Sequence, residues 1–216
     1  MLLEKLRIES YRNLVSEEIS FSKGLNFLLG PNGSGKSSVL EAFYLVCTAR
    51  PLSSGRLERF VQQGQPGFSL FARIMGGRDH HSVLAVKKRG KALKIYLDDE
   101  PLDRSSALFR SFPVQSILPN AADLLLGPPS LRRSQLDWVL FHVEPDFLVL
   151  AHRYKRALKQ RNSWLRSSKL AENGLDPWAD ALVTAGAEIE ALRSTVVDAI
   201  EPIFSEIVSG VDERLG

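Results

Sequence analysis

Over residues 2–10 apolar and polar positions alternate, with Leu6 and Ile8 set against Lys5, Arg7 and Glu9. A period of two marks a strand with one buried face. Tyr11-Arg12-Asn13-Leu14 ends it, and residues 18–22 make a second strand candidate. Lys23-Gly24 then turns the chain into the apolar run Leu25-Asn26-Phe27-Leu28-Leu29, which predicts a third strand. A glycine-rich polar stretch follows. Beyond it Val39, Leu40, Phe43, Val46 and Cys47 recur at helical spacing, so residues 37–48 predict a helix. Residues 50–56 read as a loop, 57–61 as a helical turn and 62–67 as irregular. Three strand-like runs come next, at 68–74, 82–87 and 93–97. Hairpin-type turns at Gly76-Gly77-Arg78-Asp79 and Arg89-Gly90 join them, which predicts an antiparallel meander and no βαβ repeat.

The second half changes character. Asp103 predicts the N-cap of a short helix through Ser111. Residues 112–118 predict another strand, and Pro119-Asn120 opens a short helix ending near Gly127. From Pro128 onward the pattern is helical, over 130–143, 144–165 and 176–208, with Asp176-Pro177 as N-cap and first-turn proline. The expected organisation is therefore a mixed α/β lobe over residues 1–127 and a helical lobe over 128–216. On the second long helix Phe147, Leu150, Tyr154, Leu158 and Leu165 share a stripe. His152, Lys155, Arg156, Lys159 and Arg166 cluster on another. On the third, Trp178, Leu182, Ala185, Ile189, Leu192, Val196, Ala199 and Ile203 follow a heptad-like spacing. That spacing suits either an arm forming a short coiled coil or one helix packed in a bundle, and Gly186 and Pro202 weaken a long straight rod.

The 216 residues suffice for a proper core. No apolar run approaches the ~20 residues of a membrane span, so no membrane partner is expected. The N-terminus lacks a basic segment followed by an apolar one, and the lone Cys47 has no disulfide partner, so the cytoplasm is the expected compartment. The net charge of +3 conceals an uneven layout. Residues 128–170 carry 9 Lys/Arg against 3 Asp/Glu, and residues 171–216 carry 2 against 10. A basic middle is either the footprint of nucleic-acid binding or a solvated charged face.

The stretch between the third strand and the first helix carries the chemistry. Gly30-Pro31-Asn32-Gly33-Ser34-Gly35-Lys36-Ser37 has the G-x-x-x-x-G-K-[ST] spacing, in the strand–loop–helix setting that motif requires. Gly30, Gly33 and Gly35 let the backbone wrap closely around a phosphate, and the amides through Ser34 and Ser38 supply partial positive charge. Lys36 can reach β- and γ-phosphates, and the Ser37 hydroxyl can ligate Mg²⁺. A nucleoside triphosphate is the expected ligand. The loop alone does not separate kinases, GTPases and ATPases.

The layout resembles ATPase heads of the ABC/SMC type: extra strands accompany the loop strand, a meander follows the first helix, and a basic helical block comes last. At Leu6-Arg7-Ile8-Glu9-Ser10-Tyr11-Arg12-Asn13-Leu14 and from Gly24 through Ala42 the chain is similar to the N-terminus of the RecF family of bacterial recombination mediators. Arg132-Arg133-Ser134-Gln135-Leu136-Asp137-Trp138 and Tyr154 through Asn162 resemble that family's second lobe. The resemblance implies an α/β fold: a P-loop ABC/SMC-type ATPase lobe with a mixed sheet plus an antiparallel meander, followed by a helical second lobe. It implies ATP and Mg²⁺ as cofactors, with Lys36 on the phosphates and Ser37 on the metal. Arg12 and Asn13 occupy the position from which such heads touch the nucleotide, or else form a strand-ending turn. Gln115 is either the lobe-joining glutamine that senses Mg²⁺ or an ordinary strand residue.

The family also uses a serine-glycine signature segment and an apolar strand ending in Asp, both far downstream. Leu52-Ser53-Ser54-Gly55-Arg56 and Asp98-Asp99 imitate them but fall in the wrong places, and read as a loop and a turn pair. This chain is thus expected to be a shortened form that keeps the phosphate loop and hydrolyses ATP poorly or not at all. A complete member is expected to dimerise around ATP, bind gapped or junction DNA by its phosphates, work with recombination mediator proteins in DNA repair and the SOS response, and help load recombinase. The DNA-binding candidates are Lys155, Arg156, Lys159 and Arg166, then Arg132 and Arg133. A non-catalytic binding module and an unrelated phosphate-loop kinase are the competing readings. His80-His81 lacks the further ligands of a metal site.

Overall fold

The computed structural model describes residues 2–52, 56–76, 81–103, 108, 111–119, 121–166 and 176–215. Six strands form one sheet in the order β2-β1-β3-β4-β5-β6. They are β1 (Leu2–Tyr11), β2 (Leu14–Ser20), β3 (Gly67–Met75), β4 (His81–Arg89), β5 (Ala92–Leu97) and the two-residue β6 (Glu100–Pro101). Every neighbouring pair is antiparallel. The alternation in β1 does what its period demands: Leu6 and Ile8 are fully buried, while Lys5, Arg7 and Glu9 project from the other face. Leu70, Ala72, Leu84 and Val86 continue the inner face across β3 and β4. Helix α1 (Lys36–Thr48) covers it with Val39, Ala42, Leu45 and Val46. Each fully buried aliphatic side chain of this kind stabilises the fold by ~1.5–3 kcal/mol.

One end of this core is closed by Tyr11. Its ring stacks on Phe60 of a 3₁₀ turn (Leu57–Phe60) at 5.7 Å and meets Phe68 edge-on at 5.1 Å. The turn is tied to the strand through Arg12 N to Phe60 O (2.7 Å) and Gln62 N to Ser10 O (2.9 Å).

Two expected strands are corrected. The run Leu25–Leu29 forms no strand, so the sheet has no parallel member among the described residues. Leu28 packs against the core, but Leu25, Phe27 and Leu29 are 84, 77 and 89% exposed, because no neighbouring strand supplies hydrogen bonds or a second apolar face. Residues 112–118 are not a strand either; Phe112 is buried and Val114 packs beside it, and that local apolar anchoring explains the pattern without a ladder. The expected helix over 103–111 falls largely outside the described residues, as do Ser53, Ser54, Gly55 and His80. Asp98 and Asp99 both take positive φ (51° and 66°) in the β5–β6 turn, where Asp98 Oδ1 accepts the Val83 amide at 2.7 Å.

The chain divides into two units between Ile117 and Leu118, ahead of the break expected at Gly127/Pro128. The second contains α2 (Asp123–Leu126), α3 (Pro129–Val143), α4 (Phe147–Arg166) and α5 (Ala179–Leu215). Its core is Leu140, Phe147, Leu150, Ala185, Ile189 and Val196, with Tyr154 and Leu192 beside it. Helix α5 runs without interruption through Gly186 and Pro202. Its first half packs in this core, whereas Ile203, Phe204 and Ile207 further along are exposed, so the heptad-like stripe serves packing at one end only. Asp176 Oδ1 accepts the Trp178 amide at 3.0 Å, and its other oxygen pairs with Arg161. No helix among the described residues is long and apolar enough to cross a membrane.

Candidate functional site

The glycine-rich loop enters α1 through Gly35, whose φ of 98° lies in the left-handed region. A Cβ there would stand 2.6 Å from Leu14 Cδ2, so only glycine lets the loop pass this close to the start of β2. Gly30 and Gly33 also have positive φ (155° and 82°). The first helical hydrogen bond runs from Val39 N to Gly35 O at 2.9 Å. The amides of Lys36, Ser37 and Ser38 precede it and form the positive end of α1. No acidic residue sits in this first turn. Instead Lys36 begins the helix, and its ammonium donates to the carbonyls of Gly30 and Pro31, both at 2.8 Å. A cation at the positive end of a helix runs against the usual charge preference.

The β1–β2 turn reaches this loop. Asn13 Nδ2 donates to Gly33 O at 3.0 Å, and its Oδ1 accepts the Ser38 hydroxyl at 2.7 Å. One amide thus ties the crest of the loop to the first turn of α1. Ser38 is accordingly buried, while Asn32, Ser34 and Gly33 are exposed and Ser37 lines the cleft beside them. Arg12 turns to Glu41 of α1, with contacts of 2.7 and 3.0 Å to its two oxygens, and lies 4.7 Å above the Phe60 ring. Burial raises the Tyr11 hydroxyl well above the usual tyrosine range; the Glu41 carboxylate adds to this and Arg12 opposes it. Glu41 and Phe60 were not legible as partners of Arg12, since neither belongs to a motif. Gln115 is exposed beyond Phe112, its amide donating to Ser116 O at 3.4 Å.

That cleft, of about 610 Å³, is a feature the motif did not foretell. Leu3, Phe27, Leu28, Leu40 and Phe43 line it, with Lys36 and Ser37 among its polar groups.

In the helical unit Lys155, Lys159 and Arg166 line one exposed groove on α4 together with Asn162 and Ser163. Arg156 is exposed on the next face of the helix and Arg133 is exposed on α3. Arg132 acts locally. Its guanidinium donates to Leu124 O, Leu125 O and Gly127 O (3.0–3.3 Å) and closes the C-terminal end of α2.

Sheet, covering helix and glycine loop together define the phosphate-loop lobe of an SMC-type head. The RecF/RecN/SMC N-terminal domain family model matches residues 2–169, and the chain belongs to that family. Over 217 residues it is 38% identical to the DNA replication and repair protein RecF of Pseudomonas savastanoi pv. phaseolicola, covering all of this chain and 59% of that protein. Identity to RecF of Azotobacter vinelandii is 36% over 218 residues, covering 60% of it. The chain therefore spans about 60% of the length of these relatives. The structure of the recombination mediator protein RecF-ATP in the RecFOR pathway matches with a TM-score of 0.78 at 22% identity, over 91% of this chain and 54% of that one.

Proposed function

We propose that this chain is the nucleotide-holding lobe and part of the helical lobe of a RecF-type DNA replication and repair protein. It binds ATP at the loop, engages DNA through α4, and acts in the cytoplasm. What carries the reading is Lys36: a cationic side chain on the first residue of α1 whose ammonium donates to two loop carbonyls. A triphosphate supplies the anion that this arrangement lacks. Lys36 then exchanges its carbonyl bonds for phosphate oxygens, and the loop amides and those of Ser37 and Ser38 donate to the same group. Asn13 keeps the loop in register, and Arg12 contributes from the Glu41 pair. Ser37 and Gln115 are the groups assigned to Mg²⁺, which would neutralise phosphate charge when bound. Dimerisation around ATP, work with recombination mediator proteins and help in recombinase loading are assigned to the protein of the relatives' full length.

Equilibrium dialysis with ATP and Mg²⁺ tests this. The chain should bind, and Lys36→Ala should weaken binding at least tenfold; equal affinity of the two would overturn the reading. For DNA, replacing Lys155, Lys159 and Arg166 by Ala should weaken binding at low salt and flatten the log–log salt dependence by about 2–3, since each phosphate contact contributes ~0.7–0.9. A second reading, a binding module without turnover, is favoured by the exposed apolar residues Ile203, Phe204 and Ile207 on α5. Binding of ATP with no phosphate release would support it. Turnover that is lost in Lys36→Ala would rule it out.

A further inference from the structure

The face of the sheet turned away from α1 has a regular order that neither the phosphate loop nor α4 uses. Register sets Arg7 beside Phe71, Phe71 beside Ala85 and Ala85 beside Tyr96 in one row across four strands. Ala85 is a small floor between two rings about 10 Å apart, given strand spacings near 4.8 Å. The next row is Glu9, Ser69, Lys87 and Lys94, and on the other side Lys5 stands beside Arg73. The Phe71 ring has Lys87 Nζ at 5.2 Å and Arg7 Cζ at 6.0 Å, and Lys87 lies 5.5 Å from the Tyr96 ring. The carboxylates on this face are taken: Glu18 by Lys5 at 2.7 Å and Glu9 by Arg7 at 2.5 Å. Arg73, Lys87, Arg89 and Lys94 are exposed and have no acidic partner in the ion pairs of the described residues. Two clefts open along the face. One of about 180 Å³ is lined by Lys5, Arg7, Phe71 and Arg73 together with Glu18, the other of about 340 Å³ by Ser69, Lys87, Lys88 and Arg89 together with Glu9.

We propose that this face binds single-stranded nucleic acid, with bases stacked on Phe71 and Tyr96 and phosphates held by Arg73, Lys87, Arg89 and Lys94. Rings on a flat sheet accept unpaired bases because every base has a π-face, and interleaved cations follow the backbone between them. In a duplex the bases are already stacked, so the rings add nothing there. An acidic peptide would use the cations and leave the rings idle. This inference rests on reading the protein as a DNA binder, and adds a surface and a strand preference to it.

Fluorescence anisotropy with a labelled oligo-dT and with a duplex of equal length tests it on the full chain. Lys87→Ala with Lys94→Ala should weaken single-strand binding at least tenfold and lower the salt slope by about 1.4, at ~0.7 per contact. Tyr96→Ala should weaken single-strand binding severalfold, leave the salt slope and duplex affinity unchanged, and be rescued by Tyr96→Phe. Single-strand affinity unchanged in the double-lysine and Tyr96→Ala variants, an equal loss for single strand and duplex in Tyr96→Ala, or displacement of oligo-dT by polyglutamate as effective as by unlabelled DNA would each overturn the proposal. If oligo-dT binding falls only when Lys155 and Lys159 are replaced, this face is wrong and the DNA reading stands. If the unsubstituted chain binds neither nucleic acid, both fall.

Discussion

The run at residues 25–29 is more apolar than strand β1, yet only β1 is taken into the sheet. In β1 two neighbouring strands satisfy the backbone, and α1 covers Leu6 and Ile8. The second run has α1 beside it but no strand on either edge, so only Leu28 packs while Leu25, Phe27 and Leu29 face solvent. Hydrophobicity marks a segment that can enter a sheet. Whether it does depends on a neighbour to complete its hydrogen bonds.

The sharpest way to break that contrast is to truncate one side chain from each region. Leu70→Ala, in the fully buried sheet core, should cost about 3 kcal/mol in urea unfolding. Phe27→Ala should cost about 0.5 kcal/mol or less, as exposed positions do. If the two cost the same, the run is packed in solution and the contrast is false. A smaller effect is expected where the run meets the helix. Gly35→Ala puts a side chain at positive φ and against Leu14, and should destabilise by about 2 kcal/mol while weakening ATP binding. Unchanged ATP affinity in that variant would remove the loop's conformation from the account.

The helical unit offers the converse test. At Gly186 an added Cβ would lie 3.5 Å from the Tyr154 ring, an ordinary contact, inside an unbroken helix. Gly186→Ala should therefore raise stability by about 0.5–1 kcal/mol, and a loss would mean that α4 and α5 pack more closely than described. The smallest effect belongs to Cys47 beneath the sheet, whose thiol burial pushes up to about 12. Because the folded pKa lies above the unfolded one, its contribution is complete below about pH 8.5 and declines as the unfolded thiol ionises above that. Reaction with an aromatic disulfide at pH 8 should follow opening of the fold; rapid labelling of the native protein would show that this core is not closed.

How much could be read beforehand follows from how local each cause is. The extents of β1, β3, β5 and α1 were legible because a period of two or 3.6 is written in consecutive residues. The phosphate loop was legible because its glycines, Lys36 and Ser37 act within one turn of chain. The buried Lys88, paired with Glu58 at 3.2 Å, was not, since a charged residue within a strand pattern gives no sign of being covered. Arg132 looked like a free cation because its carbonyl partners belong to the end of a preceding helix.

The order of residues by itself thus determined the periodic elements, the glycine loop and the family to which the chain belongs, all properties of spacing along one strand of polymer. Only the tertiary structure decided that Asn13 ties Gly33 to Ser38, that Arg12 closes on Glu41, that Phe71 and Tyr96 share a row with Lys87 lying between their rings, and that residues 25–29 join no sheet. Each of those depends on which distant segment comes to lie alongside, and a neighbour across a sheet leaves no period in the sequence it neighbours.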